Sequence, residues 1–139
     1  MAMTMHINIV SAENEIFSGT VTEVYAPAEA GEVGIMPRHT QMLSTLKPGV
    51  VRIVEQGGAE QSFYVSGGIL EVQPHIVTVL SDTALRAADI DESAALEAKT
   101  RAEAAMKDRA SDMDYAKAKS ELIEAIAQIE ALKKLRKKK

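Results

Sequence analysis

The chain has 139 residues, 46% apolar and 26% charged, with a formal net charge of −4; this is a globular composition, long enough for one domain with an appendage and no more. It contains no Cys and no Trp, which excludes disulfides, thiolate chemistry and Cys-ligated metals and leaves too few aromatics for a base-stacking nucleic-acid platform. Six of the 16 basic side chains fall between Lys133 and Lys139, so the rest of the chain sets ten basic groups against 20 acidic ones, and phosphate would repel such a body.

No stretch approaches the ~18 apolar residues of a membrane span. The opening segment Met1 to His6 lacks the basic patch and apolar core of a secretory leader. Met5 to Ile9 alternates apolar and polar, the period of a half-buried strand. Val21 to Tyr25 is β-branched and aromatic. Val50 to Val54 and Gln61 to Val65 flank Gln56-Gly57-Gly58-Ala59, whose glycines suit a tight hairpin turn. Ile69 to Val72 and Ile76 to Leu80 flank a second turn, Gln73-Pro74-His75. Short strands at such spacing predict a sandwich or barrel.

All eight glycines lie at or before Gly68 and all four prolines at or before Pro74. That break in turn residues marks a change of architecture. We divide the chain into a β-domain, residues 1–87, and an α-helical hairpin, residues 88–139. The first helix is expected from about Ile90 to Met106, opened by Asp89 with Glu92 three residues on, with Ala94, Ala98, Ala102 and Ala105 as its inner stripe. Ser111 or Asp112 can cap the second. There, Tyr115, Ala118, Leu122, Ala125, Ile129 and Leu132 recur at a heptad spacing. Two Ala-lined helices joined by a short turn predict a closely packed antiparallel hairpin that is marginal alone.

No phosphate-binding glycine loop, dinucleotide fingerprint or nucleophile elbow is present. His6, His39 and His75 are far apart in sequence. No nucleophile, base and orienter can be named, so the chain reads as non-catalytic. The segment Ala30 to His39 is the most unusual loop and offers Glu32 and His39 for contact. The basic tail complements a helix C-terminus, and on residues alone it suits either anionic lipid or an acidic protein surface.

Longer runs carry a resemblance. Val10-Ser11-Ala12-Glu13, Phe17-Ser18-Gly19, Gly31 to His39, Leu46-Lys47-Pro48-Gly49, Tyr64 to Pro74 and Val77 to Leu80 cover the β-domain. Asp112 to Ala116 and Ala125 to Gln128 extend the match through the second helix. The chain resembles the epsilon-subunit family of bacterial F-type proton-translocating ATP synthases. The resemblance implies a flattened β-sandwich of about ten strands followed by a two-helix hairpin. It also implies a central-stalk subunit without cofactor, peripheral on the cytoplasmic face of the inner membrane. Its partners would be the gamma subunit and the c-ring, and the alpha and beta subunits when the hairpin extends and blocks ATP hydrolysis. Glu32 stands where the family's carboxylate faces the ring, and Ser11 and His39 where it meets gamma. Lys133, Lys134, Arg136 and Lys137 would meet an acidic segment of beta. At roughly 1.5 Å per residue a helix of ~24 residues would reach ~36 Å, far enough for that contact.

Two places depart from the family pattern. Arg38, Thr40 and Gln41 replace Gly and Ala-Pro in the contact loop. Asp91 and Arg101 match the nucleotide-sensing motif of some members, but Ala94 stands where that motif carries Arg. Alanine cannot replace a bidentate phosphate donor, so ATP binding is expected to be weak or absent. The alternative function is a peripheral membrane-binding module that lays its basic helix on anionic lipid.

Overall fold

The computed structural model describes residues 3–108 and 112–137. Nine strands and two α-helices follow in chain order among the described residues: β1 (Met5–Ser11), β2 (Glu15–Ala28), β3 (Gly31–Ile35), β4 (Met42–Leu46), β5 (Gly49–Glu55), β6 (Glu60–Val65), β7 (Gly68–Val72), β8 (Ile76–Ser81), β9 (Ala84–Arg86), α1 (Glu92–Lys107) and α2 (Asp112–Lys137), with one 3₁₀ turn at Ala87–Asp89 before α1. The expected β-sandwich plus helical hairpin is therefore found, with nine strands rather than about ten.

The strands pair in the order β1-β8-β7-β4-β2-β5-β6-β9, with β3 on β2 and a further β1–β2 pairing. Strand β2 makes this possible. At 14 residues it pairs β1 through its first half and β3 and β5 through its second. It therefore belongs to both layers and closes the sheet upon itself. Thr22 is the extra residue of a bulge in the β2–β5 ladder, and its hydroxyl donates to Val54 O at 3.3 Å. Such a bulge bends a strand where it changes layer.

Alternation builds the core. Met5, Ile7 and Ile9 of β1, Val77 and Val79 of β8, Leu70 and Val72 of β7, and Val51 and Ile53 of β5 all point inward and are buried. Phe17 and Phe63 meet at 5.5 Å between ring centroids, tilted by 48°. Arg86 lies 5.7 Å from each ring and donates to Ile16 O at 2.9 Å and Gln61 Oε1 at 3.1 Å. The end of the β-domain is thus tied to its first hairpin.

Strand β6 is buried on both faces from Ser62 to Val65. Phe63 and Val65 enter the sandwich core, while Tyr64 joins Val50, Ala87 and Ile90 on the outside. That outer surface receives α2 through Ala127, Ala131 and Leu132, with Leu135 beside them. The hairpin is folded down on the sandwich. It is antiparallel, because Ala105 and Asp108 share a cleft with Asp114 to Glu121, whereas Ala98 and Arg101 share one with Glu121 to Gln128.

The helix boundaries differ slightly from the expected ones. The cap of α1 is Asp91, whose carboxylate accepts from Ala94 N at 3.2 Å; Asp89 lies in the 3₁₀ turn. Moving the cap by two residues rotates the inner stripe. Ala95 and Ala102 are the buried alanines, and Ala94 and Ala105 face solvent. The expected cap of the second helix at Ser111 or Asp112 lies outside the described side chains.

The run Ser66-Gly67-Gly68 has a steric reason. Both glycines have positive φ, 118° and 125°, where a side chain is strained. A Cβ on Gly68 would sit 1.9 Å from Leu80 O. Ser66 Oγ meanwhile accepts from Thr83 N at 3.0 Å and lies 3.3 Å from Ser81 Oγ. Gly68→Ala is expected to destabilise the β-domain by about 3 kcal/mol or more, the scale of combined backbone strain and overpacking, measured by urea unfolding of the full chain.

Candidate interaction surfaces

Strand alternation also decides what faces out. On the layer β1-β8-β7-β4, Val10 pairs Leu80, Leu80 pairs Ile69, and Ile69 pairs Thr45. Leu43 stands diagonally from Ile69 on the same face. Leu43 is 72% exposed, Leu80 52% and Ile69 47%. Three large apolar side chains on adjacent strands make one exposed stripe, which in folded proteins marks a contact surface. The stripe faces away from the β5–β6 surface that holds α2.

Ser11 closes β1 at one end of this stripe. Its hydroxyl donates to Asn14 O and accepts from Asn14 N, each at 3.2 Å, so it also shapes the β1–β2 turn. It borders an open depression of about 360 Å³ together with Ile69 and Leu80. His39 lies at the other end. The loop that carries it is held to the β7–β8 turn by Arg38 N donating to Pro74 O at 2.9 Å. The His39 ring donates through Nδ1 to Thr40 O at 2.7 Å. Glu32 is exposed on β3, opposite Pro27, on the other layer. The structure does not gather these three residues. Ser11 and His39 bracket one face, and Glu32 marks a separate edge.

Arg38 has φ of 65°, the left-handed region where glycine is at ease. This explains the glycine of the family pattern at that position. The loop keeps the turn although its residue departs from the pattern.

At the helical end, Lys133 is exposed and Lys134 half-buried, on the last turns of α2 where Leu132 and Leu135 dock. The side chains of Arg136 and Lys137 lie outside the described residues. Asp91 and Arg101 are separated by ten residues, roughly 15 Å along α1. The Asp91 carboxylate is engaged in the cap. Arg101 instead lines a cleft with Glu121 and Glu124 of α2.

Sequence reasoning missed one functional group here. Tyr64 of β6 is 1% exposed beneath α2. Burial, aided by the charge of Glu124, pushes its phenol up to about 12, and a hydrogen bond from Gln128 partly offsets this. Its apolar neighbours in sequence, Phe63 and Val65, conceal it as one more core residue.

Among the described residues, no three Asp, Glu or His side chains group as a metal site would require, and no helix is long and apolar enough to cross a membrane. Fold and surface together define a class: a small β-sandwich with an exposed apolar contact stripe and a docked helical hairpin. Residues 4–87 match the family model described as ATP synthase, Delta/Epsilon chain, beta-sandwich domain, and residues 88–133 match the corresponding long alpha-helix domain. The chain belongs to the ATP synthase delta/epsilon family and groups with the bacterial epsilon chains. It is 67% identical over 138 residues to the ATP synthase epsilon chain of Nitrosococcus oceani, covering 99% of both chains. It is 61% identical over 137 residues to that of Thioalkalivibrio sulfidiphilus, covering 98% of this chain and 97% of the other. The same fold occurs in a chain of the Euglena gracilis mitochondrial ATP synthase structure (OSCP/F1/c-ring), with a TM-score of 0.84 at 19% identity over 93% of this chain and 81% of that one.

The Tyr64 shift has a definite sign. The folded phenol titrates higher than an unfolded one near 10, so docking is unaffected by this group below about pH 10 and weakens as pH rises through about 12. Release of α2 between pH 10 and 12 is expected in the native chain. Tyr64→Phe, which cannot ionise, is expected to lose that transition, followed by the distance between spin labels on α2 and the sandwich.

Proposed function

We propose that this chain is a non-catalytic central-stalk subunit that couples the c-ring rotor to gamma and restrains ATP hydrolysis through its C-terminal helices. The observation that carries the coupling role is the exposed stripe Leu43, Ile69 and Leu80, bracketed by Ser11 and His39. A face of that apolar area needs a protein partner, and the epsilon chains to which this one is similar belong to a rotary assembly. Gamma is the partner on this face, with Ser11 and His39 at its ends. Glu32, on its separate edge, faces the polar loops of the ring. The solved relatives from Euglena gracilis and Tetrahymena thermophila come from assemblies that include a c-ring.

The work divides along the chain. Residues 1–87 grip the rotor and stalk, and residues 88–139 regulate. The sandwich has its own enclosed core, whereas the hairpin is attached through one patch on α2. In the released state α2 extends toward alpha and beta, where Lys133, Lys134, Arg136 and Lys137 meet acidic side chains. Each exposed pair contributes little, so the four act as a network. The subunit is held peripherally, at the cytoplasmic face of the inner membrane, through these protein contacts.

Truncation after Arg86 is expected to raise ATP hydrolysis by the detergent-solubilised synthase several-fold while the complex still assembles. Unchanged hydrolysis would leave the sandwich as a coupling clamp and remove the inhibitory role. Leu80→Asp together with Ile69→Asp is expected to weaken binding to isolated gamma at least 100-fold, since two buried large aliphatics are each worth about 1.5–3 kcal/mol. Liposome binding by the full chain that is lost on reversing the four basic charges would favour a membrane-binding module instead.

ATP is expected to bind weakly or not at all. Asp91 is engaged in capping, Arg101 faces two glutamates, and Ala94 offers no guanidinium. Calorimetric titration of the full chain with ATP is expected to show no saturable heat in the micromolar range; a tight site would overturn this.

A further inference from the structure

Strand alternation leaves the contact face almost without charge. Across β1, β4, β7 and β8 its outward side chains are apolar or neutral, apart from His6 of β1 and Glu71 of β7. His6 stands at the border of the face and is engaged there, its Nε2 3.0 Å from Asn8 Oδ1 and 2.9 Å from Ser18 Oγ. Glu71 stands inside the face. It pairs Leu43 on one side and Thr78 on the other, two residues along β7 from Ile69.

No described residue neutralises this carboxylate. Its hydrogen bond comes from Gln73, whose Nε2 donates to Glu71 Oε1 at 2.8 Å. Among the described residues no Lys, Arg or His side chain pairs with it. Arg38, whose backbone ties the neighbouring loop to Pro74, makes no ion pair with it either. The carboxylate borders an open depression of about 370 Å³ together with Gln41, Met42, Leu43, Val72 and Gln73.

The position gives that charge its consequence. In the free chain water solvates Glu71, which is exposed. A partner that covers Leu43, Ile69 and Leu80 covers Glu71 with them, because it lies among them on the same face. A carboxylate taken from water is strongly destabilising unless a cation or several donors replace that water. Charged side chains are for this reason depleted at the centres of interfaces. We propose that Glu71 is a docking anchor, and that the partner on this face sets one arginine or lysine beside Leu43 to pair with it. Gln73 holds the carboxylate in place, the amides of Gln41 and Gln73 bring further acceptors, and Met42 and Leu43 offer apolar surface to the stem of the incoming side chain. The anchor rests on the reading above that gamma covers the stripe. It adds the chemistry gamma brings there, a cation within an apolar contact, and rejects a surface that offers only apolar or acidic groups at that point.

Binding of the full chain to isolated gamma, with association and dissociation rates measured separately, tests this. Glu71→Gln keeps the shape of the side chain, and urea unfolding should match that of the native chain. It is expected to raise the dissociation rate about 30-fold or more with little change in association, the pattern of a buried charge pair rather than a rim charge. Glu71→Leu extends the apolar stripe, yet should weaken binding at least as far, because the partner's cation is then buried alone. A smaller rise, a change confined to association, or tighter binding by Glu71→Leu means that no cation faces Glu71, and the anchor is overturned. Leu80→Asp with Ile69→Asp separates the anchor from the reading beneath it. If that variant loses gamma while the Glu71 variants keep it, the stripe still binds gamma and only the anchor fails. If that variant binds gamma as the native chain does, gamma does not cover the stripe and both fail.

Discussion

Everything in this molecule depends on a pair of strands that is buried on both faces at Val50–Val51 and Phe63–Val65. Strand alternation normally gives a sheet one dry side and one wet side. In β5 and β6 the inward set, Val51, Ile53, Phe63 and Val65, completes the sandwich core, and the outward pair, Val50 and Tyr64, forms a second dry surface. Without that second surface, α2 would have nothing to lie on. The hairpin could then bury only what its two alanine-lined helices offer each other.

The two surfaces are unequal. The core is built from large branched and aromatic side chains drawn from eight of the nine strands. The docking surface is smaller and sets three alanines, Ala87, Ala127 and Ala131, beside Val50, Tyr64, Ile90 and Leu132. A buried methyl contributes about 0.8 kcal/mol, against roughly 1.5–3 for a Leu or Ile side chain. The sandwich core therefore buries more apolar surface than the docking contact, which suits the proposed release of the helix.

Much of this was legible in the sequence, and the failures have particular causes. Six strands announced themselves by β-branched runs or alternation between turn residues. Strand β4 did not, because Ser44 points inward and Leu43 outward, the reverse of the usual pattern; the inversion is itself the mark of the contact stripe. Strand β3 was masked by its two glycines, and β9 has only three residues, too few for any period. In α2 the heptad seam toward α1 was visible, but the second face, Ala127 and Ala131, was hidden because alanine carries little hydrophobic contrast. Of the candidate site residues, Glu32 and His39 were offered by the unusual loop Ala30 to His39, and Ser11 was named through resemblance. Geometry then gave them separate places. Tyr64 could not be singled out, since a tyrosine among Phe and Val reads as core until a helix partner is known.

The placement of the two surfaces carries the last step. The stripe of Leu43, Ile69 and Leu80 lies on β4, β7 and β8, while the hairpin rests on β5 and β6. The enclosed core separates them. A partner bound to the stripe touches no residue of the docking surface, so the proposed release of α2 would leave the grip in place. The proposed division of labour, a continuous grip on the rotor and an intermittent regulatory release, would use that separation. Here it follows from one long strand, β2, folding a single sheet into two layers that turn opposite faces to solvent.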